Sequence, residues 1–325
     1  MRQRFFRLWS ALLIFMGACS VTHAEWYWGD ASIMGTNIEV QVWADSQAEG
    51  DQAIQGVFDE MEQVNQRMSP YIESSAVAQV NRHASTRPVT VDPATYSVIK
   101  QALAVSELTD GAFDITFASV GFMYDYRHKT RPDDSAISQN LGAINYRFIQ
   151  LDDAEQTVFF THPDVKIDLG GIAKGYAVDC AIVALQQIGI EHALVTAGGD
   201  TRLLGDRRGR PWIVGIRDPR NDERQAVKLP LESTAISTSG DYERFFEEDG
   251  VRYHHILSPK TGKSAQEVQS VSVIGPSSTM NDALSTSVFV LGVVDGMDLI
   301  NRLPDVEAII LDNQRKLHYS SGLTR

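Results

Sequence analysis

Four stretches of the chain repeat apolar residues at helical spacing, and most of the remainder alternates apolar with polar. Ile54, Val57, Phe58, Met61 and Val64 predict an amphipathic helix ending near Met68. Val98, Ile99, Ala102, Leu103 and Leu108 predict a second, stopped at Asp110-Gly111. Ala177, Val178, Ala181, Ile182, Leu185 and Ile188 predict a third, starting near Ala173, and Asn281 to Leu291 a fourth. Alternation around Ile38, Val40 and Val42 predicts a strand over 35–43. Strands at 147–151 and 156–160 form a predicted hairpin around Asp152-Asp153-Ala154-Glu155. Val165-Lys166-Ile167-Asp168 reads as a strand, as do His192–Thr196, Trp212–Ile216, Val227–Leu231, Thr234–Thr238, Tyr253–Leu257 and Val271–Ile274. Val306–Leu311 and Leu317–Tyr319 close the chain as a hairpin around Asn313. Residues 124–141 are rich in turn formers and read as a loop, and Thr238–Arg244 as a hydroxyl-rich turn entering a helix. Helices and strands mix without strict βαβ alternation. The expected class is α+β, with mixed, mainly antiparallel sheets and packed helices in one compact domain over residues 28–325.

Composition supports a large single core: 43% of the 325 residues are apolar, with no Pro- or Gly-rich linker and no internal repeat. The first 18 residues are set apart. Arg2, Arg4 and Arg7 precede a mostly apolar run from Leu8 to Met16 that is too short to span a bilayer, the pattern of an export signal. Met16-Gly17-Ala18-Cys19 is similar to a bacterial lipobox with Cys19 as the lipidated residue; the alternative is cleavage after Thr22-His23-Ala24. The expectation is an exported protein, anchored at Cys19 to the periplasmic side of the inner membrane, with 19–27 as a tether and no later transmembrane helix. Without those 18 residues the chain has 26 basic and 42 acidic residues, a net charge of −16. That balance argues against a nucleic-acid partner, and means that a polyphosphate ligand needs local positive charge, most simply a divalent cation. Besides Cys19 the chain holds one cysteine, Cys180, in an apolar helical pattern, so no disulfide framework is expected.

The most informative segment is Asp168-Leu-Gly-Gly-Ile-Ala-Lys-Gly-Tyr-Ala-Val-Asp179. It places Gly170-Gly171 at the entry to a helix, where backbone N–H groups and the positive helix end accumulate and suit an anion such as phosphate. It matches neither GxGxxG nor a Walker loop. Ala197-Gly-Gly-Asp200 allows a ligand or another backbone to come close. In Tyr253-His-His-Ile-Leu-Ser-Pro-Lys-Thr-Gly262, adjacent His254 and His255 on a strand face opposite sides, so one of them can enter a given cleft. In Asn281-Asp-Ala-Leu-Ser-Thr286, Asp282 and Thr286 share a helix face one turn apart, which suits a hard cation; the same pattern also describes a helix-entry Asp and a Thr bonded back to a carbonyl.

These segments occur in one order with Met34-Gly-Thr36, Met68-Ser-Pro-Tyr71, Ser75, Asn81, Gly111-Ala-Phe-Asp-Ile-Thr116 and Trp212-Ile-Val-Gly-Ile216. Together, over roughly residues 28–320, they resemble the ApbE family of FAD:protein FMN transferases. The resemblance implies an exported, often lipid-anchored, Mg²⁺-dependent enzyme. It would move FMN from FAD through a phosphoester onto a Thr or Ser hydroxyl of an acceptor protein, releasing AMP. The implied acceptor carries an Asp/Ser-Gly-Ala-Thr/Ser motif and belongs to a membrane redox pump or another extracytoplasmic flavoprotein. Position by position, the resemblance puts Met34, Tyr71, Ala112, Phe113, Asp114, Asp168, Lys174 and Ile256 against FAD. Gly171, through its carbonyl, Asp282 and Thr286 would hold the metal, and His255 would stand at the reaction centre. As general base, His255 is the first choice, with Asp282 or Asp241 behind it. The chain departs from the family at Phe117–Met123, Ala76, Ala78, Thr196 and Ser258, none of them an implied metal ligand. Asp110-Gly111-Ala112 looks like an acceptor motif, but Phe113 follows and has no hydroxyl to modify. Two other readings remain open at this point: FAD hydrolysis to FMN and AMP, and a flavin-binding lipoprotein without turnover.

Overall fold

The structure is a computed structural model and describes residues 24–324. The basic and apolar N-terminal run, Cys19 and most of the expected tether lie outside the described residues. In chain order the elements begin with β1 (Glu25–Ile33), β2 (Thr36–Ala44), α1 (Gln47–Met68), α2 (Ala76–His83), β3 (Val89–Thr90) and α3 (Pro93–Leu108). Next come α4 (Ala118–Gly121), α5 (Asp134–Asn140), β4 (Ile149–Asp152), β5 (Thr157–Phe160), α6 (Ala173–Gln187), β6 (Ala193–Ala197) and β7 (Asp200–Leu204). The chain continues with β8 (Trp212–Asp218), β9 (Asn221–Leu231), β10 (Ala235–Gly240), β11 (Phe245–Glu248), β12 (Val251–His254), β13 (Leu257–Ser258) and β14 (Lys263–Ser264). It ends with β15 (Val268–Gly275), α7 (Ser278–Ile300), β16 (Glu307–Asp312) and β17 (Leu317–Tyr319).

Eight strands form the main sheet in the order β1-β2-β6-β7-β10-β15-β16-β17. Every pairing in it is antiparallel, as the absence of βαβ alternation predicts. Three helices cover one face: α1 on β1 and β2, α6 on β6 and β7, α7 on β10 and β15, with α6 packed between the other two. Ile38, Val40 and Val42 of β2 point into this layer and are fully buried, together with Val57 and Met61 of α1 and Ala177, Val178 and Ala181 of α6. The same buried cluster continues into Val98 and Ile99 of α3 and Val158 of β5, so the β3-β5-β4 sheet and its helices belong to one core. On the opposite face Ile236, Ile274 and Ile309 meet Ile216 of the β8-β9 hairpin.

Several expectations change. Val165–Asp168 alternates buried and half-buried residues as a strand would, yet it pairs with no strand. The Asn81 side chain takes the partner's place, donating to Ile167 O at 2.8 Å and accepting from Ile167 N at 2.7 Å. Ser119 Oγ accepts from Lys166 N and Ile115 O from Asp168 N, each at 3.0 Å. Thr238–Arg244 does not enter a helix: β10 runs to Gly240, and after a turn the chain becomes β11. Strand β1 begins at Glu25, so Glu25, Trp26 and Tyr27, expected in the tether, are part of the sheet. The polar stretch 124–141 contains α5. Contrary to expectation, α7 is long and apolar enough to cross a membrane by length and composition alone. It packs beside α6 on β10 and β15 of the sheet, and its backbone breaks at Gly292 (φ 80°). There the Glu267 carboxylate accepts from Val293 N at 3.1 Å and caps the second half.

Candidate active site

The start of α6 has no side-chain cap: Ile172 occupies the N-cap position and can offer none. Gly170 N–H turns back onto Asp168 Oδ1 at 2.6 Å, and Ile172 and Ala173 N–H donate to Leu169 O. Gly175 N–H finds its acceptor in another helix, Asp282 Oδ2 of α7, at 3.1 Å. Among the described residues, no protein acceptor faces the N–H of Gly171 or Lys174. This is the donor-rich helix start that the Gly-Gly turn led one to expect.

Two glycines let the elements close on it. A methyl group on Gly175 would collide with Ser278 O and lie 2.9 Å from Asp282 Cβ, so α6 and α7 touch backbone to backbone. One on Gly171 would lie 3.2 Å from Phe113 Cε2 and 3.4 Å from Thr286 Oγ1. Gly171 thus lies against Thr286, and Gly175 against Asp282, where the start of α6 meets α7. Asp282 is 3% exposed. Lys174 Nζ stands 3.3 Å from both of its carboxylate oxygens and 2.7 Å from Asp200 Oδ2. Burial alone would lower the lysine's pKa, but the two carboxylates outweigh it and hold the ammonium above its ordinary value. Burial, and next the Asp200 charge, push the Asp282 carboxyl well above the usual carboxylate range. Thr286 Oγ1 is 3.2 Å from Ser239 Oγ, which is 2.8 Å from Ser285 Oγ, so β10 lays a chain of hydroxyls along α7.

The two adjacent histidines separate cleanly. His254 is 2% exposed, with Nε2 2.6 Å from Ala265 O, Nδ1 accepting from Ile256 N, and its ring edge-on to Phe289. It is a fixed core residue. His255 has left the strand; its N–H donates to Arg244 O at 3.1 Å, while its buried Nδ1 has no partner among the described residues. Burial, then the Arg244, His254 and Lys174 neighbours, bring its pKa down to about 3, so the ring is neutral. Asp241, a runner-up for the same proton, is excluded by its partners. Arg220 holds both of its oxygens, at 2.7 and 2.5 Å, and Arg252 adds a third contact at 3.5 Å.

The remaining candidates differ in how they connect to this centre. Phe113 and Ala112 are buried beside Gly171 and Thr109. Asp114 is also buried, but its carboxylate is taken up by Thr116 N and Oγ1 and by Tyr146 N. Its position supports Phe113 rather than reaching outward. Asp168 has its carboxyl raised by burial, with Gly170 N–H, Arg244 and Lys174 opposing. Its charge and that of Arg244 both reach Tyr71, which is 80% exposed and edge-on to Phe122 at 6.2 Å between ring centres. Met34 (φ 56°) and Gly35 (φ 69°) form the two-residue turn between β1 and β2, and Arg244 donates to Gly35 O at 3.3 Å. Ile256 is buried directly after His255.

The residue pattern did not mark Asp200 and Arg244 as site residues. A signal for Asp200 was present in Ala197-Gly-Gly-Asp200. There the glycines admit neighbouring chain: a methyl on Gly198 would meet Thr36 Oγ1 at 2.5 Å and one on Gly199 would collide with Thr238 O. That packing draws the β1-β2 turn, β10 and Asp200 together.

No group of three or more His, Cys, Asp or Glu residues that could hold a metal occurs among the described residues. A cation here would rest on one carboxylate, one hydroxyl and a turn carbonyl, completed by oxygens of water or substrate. That donor set suits Mg²⁺.

The ApbE family profile matches residues 34–310. An FAD:protein FMN transferase of Treponema pallidum is 33% identical over 310 residues, covering 90% of this chain and 86% of its own. One from Vibrio cholerae is 33% identical over 301 residues, covering 89% of each. Among solved structures, an ApbE protein from Thermotoga maritima superposes with a TM-score of 0.85 at 36% identity, over 92% of this chain and 98% of that one. The flavin transferase ApbE from Vibrio cholerae gives 0.83 at 29% identity, over 93% and 99%. With its fold, its site segments and its relatives in agreement over nearly the whole length, the chain belongs to the ApbE family.

Proposed function

We propose that this protein is an FAD:protein FMN transferase. In this reading it passes the FMN half of FAD to a Thr or Ser hydroxyl of an acceptor protein and releases AMP. The observation that carries it is the meeting of the uncapped start of α6 with Lys174, Asp282 and Thr286, with the Lys174 charge reaching His255. Such a meeting of backbone donors, ammonium and carboxylate suits a pyrophosphate with its cation. Gly171 and Lys174 N–H groups and the Lys174 ammonium meet phosphate oxygens, while Phe113, Met34 and Tyr71 offer surfaces for flat rings. Gly171, Asp282 and Thr286 would hold Mg²⁺, which supplies positive charge against the phosphate oxygens as charge grows on the departing AMP.

The chain's own part in the chemistry is positioning and proton transfer. The acceptor oxygen bonds to the FMN phosphorus, the anhydride P–O bond breaks, and the electron pair leaves with AMP. The acceptor's proton goes to neutral His255, a role worth about 10²–10⁴-fold. In the free protein Arg244 and Lys174 help to depress the basicity of His255. An anionic pyrophosphate between them opposes that effect and raises it. The reading extends to an acceptor with an Asp/Ser-Gly-Ala-Thr/Ser motif, such as a membrane redox-pump subunit. It also extends to a chain exported and anchored through Cys19 on the periplasmic side of the inner membrane.

The test incubates the purified chain with FAD and Mg²⁺, with and without a Thr-bearing acceptor domain. AMP release matched by a covalent FMN adduct on the acceptor, abolished by chelation and restored by Mg²⁺, is the expected result. AMP without adduct would make the chain a pyrophosphatase; neither product would make it a flavin carrier.

A further inference from the structure

Asp179 closes the Gly-rich segment in the sequence, lies one turn of α6 beyond Gly175, and has no part in the chemistry above. Its carboxylate is turned toward α7. It accepts from Ser278 N at 3.0 Å, from Thr279 N at 3.0 Å, from Ser277 Oγ at 2.9 Å and from Thr279 Oγ1 at 2.7 Å. Arg202 of β7 pairs with it from the other side. The start of α7 can thus be accounted for donor by donor. Met280 N–H goes to Ser277 Oγ at 3.3 Å and Asn281 N–H to Ser277 O at 3.0 Å, but Ser278 and Thr279 N–H depend on Asp179. An aspartate at this end also meets the positive pole of the helix.

The arrangement is reciprocal. Asp282 of α7 accepts from Gly175 N–H in the first turn of α6, and Asp179 of α6 accepts from the first turn of α7. Each helix caps the other, one turn apart on both. Two contacts at different heights fix both the slide and the rotation of α7 against α6. They act alongside the packing of α7 on β10 and β15 and the Asn281 side-chain bonds to Ala235 O and Gly275 O. Rotation of α7 is what brings Asp282 to Gly175 and Thr286 to Gly171, because these residues project from its second and third turns.

We propose that Asp179 is a positioning residue for the site: by capping α7 from α6 it sets where Asp282 and Thr286 stand relative to Gly171. The activity arm of the test rests on the metal-dependent transferase reading; the structural arm does not. Asp179→Asn keeps the side chain's shape but replaces one acceptor oxygen with a donor, and Asp179→Ala removes the cap. Thr279→Val keeps the carboxylate and removes one hydroxyl donor. In the ligand-free chain, hydrogen exchange of amides 279–286 should speed up about tenfold in Asp179→Asn, the size of a lost cap, with α1 and α3 unchanged. Thr279→Val should show a smaller effect in the same segment. In the transfer assay, the Mg²⁺ concentration for half-maximal rate should rise about tenfold, while KM for FAD at saturating Mg²⁺ stays within about threefold. A purely structural role would lower the melting temperature and the active fraction but leave the Mg²⁺ requirement of the remaining active enzyme alone; that result overturns the proposal. So does unchanged exchange over 279–286 in folded Asp179→Asn or Asp179→Ala. Should the unmodified chain show no Mg²⁺ dependence, the metal reading fails and the exchange arm alone decides on Asp179.

Discussion

His254 and His255 are neighbours with opposite fates, and the difference lies in their hydrogen bonds. The first spends both ring nitrogens on backbone groups, whereas the second keeps a buried nitrogen without a partner among the described residues. An imidazole buried this way is costly unless another group completes it. Replacing His255 with Ala should lower single-turnover FMN transfer about 10²–10⁴-fold while leaving the far-ultraviolet circular dichroism of the chain unchanged. Unchanged transfer would remove His255 from the mechanism. The same residue makes stability depend on pH. Its pKa is about 3 in the fold against 6.5 for an unperturbed histidine. Below about pH 6.5 the unfolded chain therefore binds a proton that the native state does not. Stability should fall as pH drops from 6.5 toward 3 and gain nothing from this group above 6.5. Urea unfolding of His255→Gln across that window should give a shallower slope than the parent chain; parallel slopes would contradict the assignment.

Among the elements, α6 and α7 carry most of the site, and their contact depends on one missing side chain. Gly175→Ala would drive a methyl group into Ser278 O. Overpacking against backbone costs about 1–3 kcal/mol. The substitution should lower the urea midpoint accordingly and weaken transfer more than Gly56→Ala does, since Gly56 has nothing near its Cβ. The Val165–Asp168 segment shows how an element can be read correctly in one respect and wrongly in another. Its alternating burial is real and visible in the residue pattern. Its partners, the Asn81 side chain and Ser119 Oγ, come from 86 and 47 residues away along the chain. A two-residue period reports which side chains are buried, not what the backbone pairs with. Likewise, hydroxyls and acids in Thr238–Arg244 resemble a helix cap. There Thr238, Ser239 and Gly240 pair with Ser272, Val271 and Ser270 of β15, and the strand ladder claims those backbone groups.

At the level of the whole molecule, the eight-stranded sheet presents the β1-β2 turn, the β6-β7 turn and the end of β10 at one edge of the site, while helices α6 and α7 close it from their face. The N-terminal strand β1 begins only six residues after Cys19. If Cys19 carries lipid, the sheet stands close to the membrane surface. Cys19→Ala should then shift the chain from the membrane fraction to the soluble fraction without loss of transfer activity in extracts. Retention in the membrane fraction would contradict the anchor.

Residue pattern alone determined the α+β class, the principal helices and most strands, the Gly-Gly helix entry and the Asp282–Thr286 pair. Each of these is encoded locally, in spacing and in turn chemistry, within about a dozen residues. Which histidine is free, that Asp241 is locked by Arg220, that Asp200 joins Lys174, and that α6 and α7 cap one another were decided only by the tertiary structure. The partners in those contacts are separated by 26 residues from Lys174 to Asp200 and by about 100 from Asp179 to α7. No local period records such pairings, because they are set by how the sheet brings distant turns and helix starts into contact.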